Sequence, residues 1–259
     1  INTMNNNHFK DKRVWITGAS SGIGKAVAME LAKRGAKVAI SARNQPLLHD
    51  IAEDMGKDNT LVVPLDVTIK SQNMSAVKRI KEHWGGLDIA FFNAGTAEYI
   101  DINNFDSDIF ERTIKTNFMS MVYGIEAVLP SLRNSTTAQL GGMSSTVSFA
   151  GIPRAEAYGA SKAAIRNMLQ GLRIHLKQEN IDVFTVCPGF VRTPLTDKND
   201  FPMPMRIEVE EAAKIIVNGI AKRTPEIHFP KAFSWTYKLL SFLPSGLYTR
   251  LMLNTVRQS

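Results

Sequence analysis

Tyr158 and Lys162 are the residues whose types and spacing most directly suggest chemistry. They lie four positions apart in a segment with a helical pattern, so their side chains project from the same face of one helix. A free phenol has a pKa of about 10 and is a poor base near neutrality, but a neighbouring ammonium group stabilises phenolate and lowers that pKa. The pair is therefore predicted to act as a proton donor and acceptor.

A serine hydroxyl precedes this pair by 13 residues. Ser145 follows the apolar run 139–143, so it is expected where a strand ends at the ligand-binding edge of a sheet. Its hydroxyl can hydrogen-bond a reacting oxygen on which negative charge grows. Each signal alone has an ordinary alternative, because the Tyr-x-x-x-Lys spacing occurs by chance and a double serine often ends a strand or caps a helix.

A glycine-rich loop lies near the start of the chain. Residues 17–24 read TGASSGIG, follow the predicted strand 13–16 and open a helix. The glycines would allow a tight turn and the close approach of a diphosphate to the helix N-terminus. The spacing G-x-x-x-G-x-G differs from the common dinucleotide pattern G-x-G-x-x-G, so a structural turn is the alternative.

The end of the second predicted strand carries a cofactor signal. A fold that binds NAD usually offers a carboxylate there to the ribose hydroxyl, whereas residues 41–44 read SARN. The guanidinium of Arg43 would attract a 2′-phosphate, and no acidic residue is present to repel it. This favours NADP(H) over NAD(H), with a solvated surface arginine as the alternative.

The elements that must position these residues alternate between short apolar runs and longer helical patterns. The runs that predict strands are 13–16, 37–41, 60–64, 89–93, 139–143 and 181–186. Strands separated by helices predict an α/β fold, a doubly wound Rossmann-type parallel sheet of about seven strands with helices on both faces. The first helix is predicted from about Gly24 to the Lys33-Arg34-Gly35 segment. We expect one domain over residues 9–229, followed by a C-terminal extension over residues 230–259.

Taken in order, these motifs resemble the short-chain dehydrogenase/reductase family over roughly residues 12–228. The matching segments are the 17–24 loop, Asp66-Val67, Asn93-Ala94-Gly95, Asn117, Ser145, the Tyr158 and Lys162 pair, and the 188–193 segment PGFVRT. Two departures concern packing beside the cofactor. Phe92 stands where the family often has a second asparagine, and Gly141-Gly142 replaces bulkier apolar residues in the strand before Ser145.

The resemblance implies an oxidoreductase that transfers a hydride between the nicotinamide of NADP(H) and a carbonyl or secondary alcohol. Tyr158 would be the general acid in reduction and Ser145 the partner of the carbonyl. Lys162 would also bind the nicotinamide ribose, and Asn117 would hold a water in the proton relay. The full set expected to bind the cofactor is Gly18, Ser20, Ser21, Gly22, Ile23, Gly24, Arg43, Asp66, Val67, Asn93, Ala94, Gly95, Tyr158, Lys162, Pro188, Gly189, Val191 and Thr193.

Other functions are weaker alternatives. A regulator that binds a dinucleotide without catalysis would not need the complete set of catalytic residues. An epimerase or dehydratase acting on a nucleotide sugar commonly needs a larger substrate domain than the chain after Thr193 offers. The substrate is left undetermined, because the loops expected to line its pocket, 96–104, 149–156 and 195–206, follow no readable code. A homodimer or homotetramer is implied by the resemblance alone.

Composition and charge do not indicate a macromolecular partner, and the expected partner is a small-molecule substrate. The 31 Lys and Arg residues exceed the 24 Asp and Glu residues, giving a formal net charge of +7, but the excess is diffuse and nucleic-acid binding is not expected. The five histidines lack metal-ligand spacing, so no metal site is predicted. Cys187 is the single cysteine and is expected to be buried packing. With no signal-peptide pattern at the start, we expect a cytoplasmic protein.

The C-terminal extension differs in character from the rest of the chain. It is punctuated by proline and rich in aromatic and basic residues, including Trp235, Lys238 and Arg250. No apolar stretch in it reaches the roughly 20 residues needed to span a bilayer. Three interpretations stay open: a lid over the substrate pocket, a subunit contact, and a segment lying on a membrane surface. In each case an apolar extension beside the active site suggests a lipophilic substrate.

Overall fold

Seven parallel strands form the central sheet of the computed structural model, which describes residues 8–256, with side chains as far as residue 253. The strands are β1 (Arg13–Thr17), β2 (Lys37–Ser41), β3 (Thr60–Val62), β4 (Ile89–Phe92), β5 (Gln139–Met143), β6 (Asp182–Pro188) and β7 (Glu226–Phe229). Their order across the sheet is β3-β2-β1-β4-β5-β6-β7. The strand order reverses between β1 and β4, which is where open α/β sheets usually bind ligands. The predicted doubly wound parallel sheet is confirmed.

The boundaries of several elements differ from those predicted. The strand predicted over 60–64 ends at Val62, and β6 continues to Pro188. The seventh strand was not located in the sequence, because its four residues, EIHF, combine two apolar with two polar side chains and give no clear apolar run. The first helix begins two residues earlier than expected, at Gly22.

Nine helices of the described chain connect and flank the strands. They are α1 (Gly22–Lys33), α2 (Gln45–Met55), α3 (Lys70–Trp84), α4 (Ser107–Ile114), α5 (Ser120–Leu132), α6 (Glu156–Lys177), α7 (Val209–Ala221), α8 (Lys231–Leu240) and α9 (Ser245–Val256). A short π-helical stretch, Lys115–Met119, joins α4 to α5. None of these helices is both long enough and apolar enough to cross a bilayer.

The helices cover both faces of the sheet and create two apolar cores. On one face, α1, α2 and α7 bury side chains such as Leu31, Leu48 and Ile216 against the strands. On the other face, α3, α5 and α6 contribute Ile80, Val128 and Leu169. Because β1, β2 and β4 are covered on both sides, they are apolar along almost their whole length.

The two departures from the family pattern are explained by packing in these cores. A Cβ atom on Gly141 would lie 2.0 Å from the ring of Phe184, so the glycine leaves space for that ring. A Cβ atom on Gly142 would lie 2.8 Å from the Leu169 side chain on the opposite face. Phe92 occupies the space above Gly124, where a Cβ atom would lie 2.2 Å from its ring. Small and large residues therefore compensate for one another across the sheet.

An ion pair fastens the amino end of the sheet, opposite the predicted site. Asp88 accepts hydrogen bonds from the main-chain N–H of Arg13 at 3.0 Å and from its guanidinium at 2.8 and 2.9 Å. The Ser135 hydroxyl donates a fourth bond at 2.6 Å. This network ties the start of β1 to the start of β4 and to the turn before β5.

Candidate active site

A cleft of about 1000 Å³ opens at the carboxyl ends of the strands, across the point where the strand order reverses. The cleft is lined by every residue predicted for the cofactor or for catalysis except Gly24 and Asn117. Residues that are remote in sequence meet here because parallel strands all end at the same edge.

The start of α1 forms a cradle suited to an anionic group. Gly18 and Gly22 both have positive φ, at 68° and 53°, which turns the loop so that it approaches the start of the helix. A Cβ atom on Gly18 would lie 2.7 Å from the Cα of Ala94. Ser21 makes no side-chain cap, and the first turn of α1 contains no acidic residue. The free N–H groups and positive end of the helix therefore fit the diphosphate of a dinucleotide.

Gly24 lies behind this cradle and does not line the cleft. A Cβ atom there would be 2.3 Å from the carbonyl oxygen of Gly18 and 2.4 Å from Nδ2 of Asn93. The Asn93 amide in turn donates hydrogen bonds to the carbonyl oxygens of Thr17 and Gly18, at 3.2 and 3.1 Å. Gly24 thus lets α1 lie close to the loop, and Asn93 fixes the loop to the end of β4.

The end of the cleft next to β2 is positively charged. Arg43 is exposed at the end of β2, and the hydroxyl of Ser41 beside it is engaged by the indole N–H of Trp15 at 2.8 Å. Hydrogen bonds from Thr68 are the main cause that lowers the pKa of Asp66, and the charges of Arg43 and Lys115 lower it further. Lys115 was not among the predicted site residues. It follows α4, and no motif in the sequence indicates that this helix brings a lysine to the cleft.

The three groups predicted to do chemistry, Ser145, Tyr158 and Lys162, lie at the end of the cleft away from Arg43. Tyr158 is partly open to the cleft, and Ser145 and Lys162 are buried beside it. The Lys162 ammonium donates to the carbonyl of Met143 at 2.9 Å and lies 5.6 Å from the centroid of the Tyr158 ring. The Ser145 hydroxyl donates to the carbonyl of Pro188 at 3.5 Å and lies near enough to Tyr158 to act on the pKa of the phenol.

The pKa of Tyr158 shifts opposite to the direction expected from the sequence. Burial raises the pKa of Tyr158 to about 12, although the nearby hydroxyl of Ser145 acts to lower it. Burial likewise lowers the pKa of Lys162 to about 8. The expected lowering of the phenol pKa by the ammonium is therefore wrong for this structure, because removal from water is the largest cause and Lys162 is not among the groups that shift this pKa. Tyr158 is protonated near neutral pH.

Asn117 is buried between the cleft and α6. Its Oδ1 accepts the N–H of Thr96 at 2.7 Å, and its Nδ2 donates to the carbonyl of Thr96 and the hydroxyl of Ser161, both at 2.9 Å. Ser161 in turn donates to the carbonyl of Tyr158 at 2.7 Å. The side chain thus connects the loop after β4 with the helix that bears Tyr158. A water-holding role would therefore fall to the main chain of Asn117.

Ser144 is a further residue of the site that was not singled out in the sequence. Its hydroxyl donates to the carbonyl of Lys162 at 2.8 Å, and its N–H donates to the carbonyl of Val186 at 2.7 Å. Ser144 therefore fixes α6 against β5 and β6. The double serine in the sequence could have indicated this role, because adjacent side chains at a strand end point in opposite directions. Ser145 faces the cleft, and Ser144 bonds to the protein interior.

A row of aromatic side chains lies beside this end of the cleft, where the ring of Phe233 packs next to Gly189 of the lining. Successive ring contacts run from Tyr99 through Phe201, Phe190 and Phe233 to Tyr237, with centroids 4.9–6.1 Å apart. These rings come from the loop after β4, the segments that follow β6, and α8. The five rings do not follow one another in space in the order of the sequence, so the sequence motifs did not indicate this row of aromatic contacts.

Cys187 is buried, and burial raises the pKa of its thiol to about 12. A thiol that holds its proton so strongly is a poor nucleophile. Among the described residues, no three His, Cys, Asp or Glu side chains lie close enough together to hold a metal ion.

Comparison with known proteins assigns the family. Residues 12–202 match the family model described as short chain dehydrogenase. The chain belongs to the short-chain dehydrogenase family. It is therefore an oxidoreductase of a family that depends on NAD(P).

Relatives of this short-chain dehydrogenase are similar over most of their length. An uncharacterized oxidoreductase of Myxococcus xanthus is 31% identical over 235 residues, which cover 90% of this chain and 93% of the relative. One from Staphylococcus epidermidis is 30% identical over 213 residues, covering 82% and 92%. A solved short chain dehydrogenase/reductase from Burkholderia phymatum in complex with NAD superposes with a TM-score of 0.81 at 20% identity, covering 90% of this chain and 93% of that one. That likeness supports the fold.

Proposed function

We propose that this short-chain dehydrogenase reduces the carbonyl group of a lipophilic substrate with NADPH. The observation that carries the proposal is the arrangement of the cleft. The hydroxyls of Ser145 and Tyr158 lie at one end, the diphosphate cradle of α1 lies between, and Arg43 stands at the other end. We propose that the predicted catalytic and cofactor residues have these roles, with Gly24 acting through packing.

The choice of NADPH is supported by charge at the end of β2. The exposed guanidinium of Arg43 can form charge-assisted hydrogen bonds to a 2′-phosphate. The strand end where a site for NAD would carry a carboxylate reads SARN over residues 41–44. Ala42, Arg43 and Asn44 line the cleft, whereas the Ser41 hydroxyl is buried and bonded to Trp15. Nothing at this strand end would therefore repel a phosphate or bind a free ribose hydroxyl pair strongly.

The reaction requires a hydride, which a bound nicotinamide would supply. Tyr158 would donate its proton to the carbonyl oxygen as negative charge develops there, and Ser145 would donate a hydrogen bond to the same oxygen. The positive charge of Lys162, fixed by the carbonyl of Met143, would stabilise the phenolate left behind. A phenol that is protonated near neutral pH is ready to act in the direction of reduction.

The apolar approach to the site supports a lipophilic substrate. Phe190 lies within the 188–193 segment predicted to seat the nicotinamide and is in contact with Phe201 and Phe233. A substrate reaching Tyr158 along these rings would exchange water for aromatic surface, which favours an apolar or aromatic body next to the carbonyl. Assembly into a homodimer or homotetramer stays a prediction.

Cofactor choice can be tested without knowing the substrate. Fluorescence titration with NADPH and NADH should show NADPH binding at least about tenfold tighter, and Arg43→Asp should remove that preference, because a charge-assisted contact is worth roughly 1.5–3 kcal/mol. Arg79→Asp makes the same charge change at an exposed position outside the cleft, so it should keep the preference. Equal affinity of the wild type for both nucleotides would overturn the assignment of NADPH.

Turnover tests the chemistry. NADPH oxidation should be supported by carbonyl compounds with large apolar groups more than by short polar ones, and Tyr158→Phe should lower kcat by about 100-fold or more. Tight NADPH binding with no turnover across a broad carbonyl panel would instead support the regulator that binds a dinucleotide without catalysis.

A further inference from the structure

The last two helices present an apolar face to solvent. Trp235, Leu239 and Phe242 follow a helical spacing of four and three residues and are 53%, 65% and 83% exposed. Leu247 and Leu251 form a second exposed pair, one helical turn apart on α9. Burying such side chains would be strongly favourable, and large apolar side chains exposed together at helical spacing are a mark of an interaction site. These five residues are called the α8–α9 face below.

Attachment to the rest of the protein rests mainly on the opposite side of these helices, although the Trp235 ring also makes an edge contact with His228 at 5.8 Å between centroids. The opposite side of α8 is fixed by the hydroxyl of Ser234, which lies 2.6 Å from Nδ1 of His228. Lys238 forms an ion pair with Glu226. On α9, the hydroxyl of Tyr248 donates to the carbonyl of Gly151. The helices therefore already have a docked inner side, and their apolar outer side remains available to a partner.

The charge of the C-terminal extension indicates the chemistry of that partner. Residues 230–259 contain four basic residues and no Asp or Glu. Lys231 and Arg250 are exposed close to the α8–α9 face in sequence. If the face paired with its own copy about a twofold axis, it would bring these cations together without an acidic residue of the extension to neutralise them. Anionic phospholipid headgroups would neutralise the cations, and the acyl region would accept the apolar side chains.

We infer that the α8–α9 face docks on the surface of a membrane that contains anionic phospholipid. With 10 and 12 residues, the two helices are about 15 and 18 Å long, so they can lie in the interface but not cross it. An exposed tryptophan beside leucine and phenylalanine suits the headgroup boundary. Phe233 on the same helix α8 contacts Phe190 at the approach to the cleft, so docking would place that approach near the lipid.

Vesicle co-sedimentation of the full chain tests this inference and needs no turnover. The probes are vesicles of equal parts phosphatidylglycerol and phosphatidylcholine, and vesicles of phosphatidylcholine alone. The double variant Leu239→Ser, Phe242→Ser should lower the partition coefficient on the anionic vesicles by at least about tenfold. The double variant Ile102→Ser, Phe105→Ser changes side chains that are 74% and 60% exposed elsewhere, and it should bind like the wild type.

Lipid composition and oligomeric state decide the remaining outcomes. Binding of the wild type should be weaker on phosphatidylcholine alone, and Arg250→Glu should weaken binding to the anionic vesicles. The fluorescence of Trp235 should shift to the blue on the anionic vesicles, and that shift should be absent in Trp235→Phe.

Absence of wild-type binding to the anionic vesicles would overturn the inference. A change from dimer to monomer in the Leu239→Ser, Phe242→Ser variant, measured by sedimentation velocity, would show a subunit contact instead. Because these readouts are independent of NADPH, they can fail or succeed separately from the proposed reaction.

Discussion

Replacing Asn117 by alanine should destabilise the folded chain even when no cofactor or substrate is present. The substitution removes three hydrogen bonds of 2.7–2.9 Å from a fully buried side chain. At about 1 kcal/mol for each bond, the free energy of unfolding should fall by about 3 kcal/mol. Thr96 is partly exposed, so its main-chain groups can then turn to water, which keeps the loss near that value. The melting temperature should fall by roughly 6–12 °C.

The assay pairs urea unfolding with steady-state kinetics measured well below the melting temperature. Loosening of the loop around Thr96 should raise the KM for the cofactor. Asp88→Asn provides a control of similar stability cost, because it weakens the opposite edge of the sheet and should leave kcat and KM unchanged. An unfolding free energy of Asn117→Ala within about 0.5 kcal/mol of the wild type would refute the reasoning, since the three bonds would then contribute almost nothing.

Two further predictions concern stability and pH. Burial by itself would raise the pKa of Asp88, but hydrogen bonds from Arg13 and Ser135 outweigh it and lower the pKa from 3.8 to about 2. Asp88→Asn should therefore lower the free energy of unfolding by about 2 kcal/mol at pH 7. Urea unfolding should show the difference between wild type and variant shrinking as the pH falls from about 4 towards 2. A difference that does not change with pH would contradict this prediction. Burial lowers the pKa of His228 from 6.5 to about 4, so the unfolded chain binds a proton that the folded chain refuses. Stability should decline by up to about 3 kcal/mol from pH 6.5 to 4, and thermal melts of His228→Gln should lose that part of the decline, whereas curves parallel to the wild type would argue against it.

Much of the fold could be predicted because its signals are local. Apolar runs separated by helical patterns determine a parallel sheet with crossover helices, and the structure confirms that sheet. The weakest element, β7, escaped detection because a buried edge strand of four residues has too little pattern of its own. The glycine loop, Arg43 and Ser145 also indicated one shared edge of the sheet, since each follows the end of a predicted strand.

What the sequence determined by itself was the set of chemical groups and their local geometry: the pair Tyr158 and Lys162 on one helix, the glycine turn before α1, and Arg43 at the end of β2. Only the tertiary structure decided that Gly24 acts by packing, that the amide of Asn117 is fully engaged, and that the pKa of Tyr158 is raised. The physical reason is that these two kinds of property depend on residues at different distances along the chain. Spacing along the chain fixes which side chains are neighbours within one turn, whereas burial and hydrogen bonding depend on segments that meet only when the chain has folded.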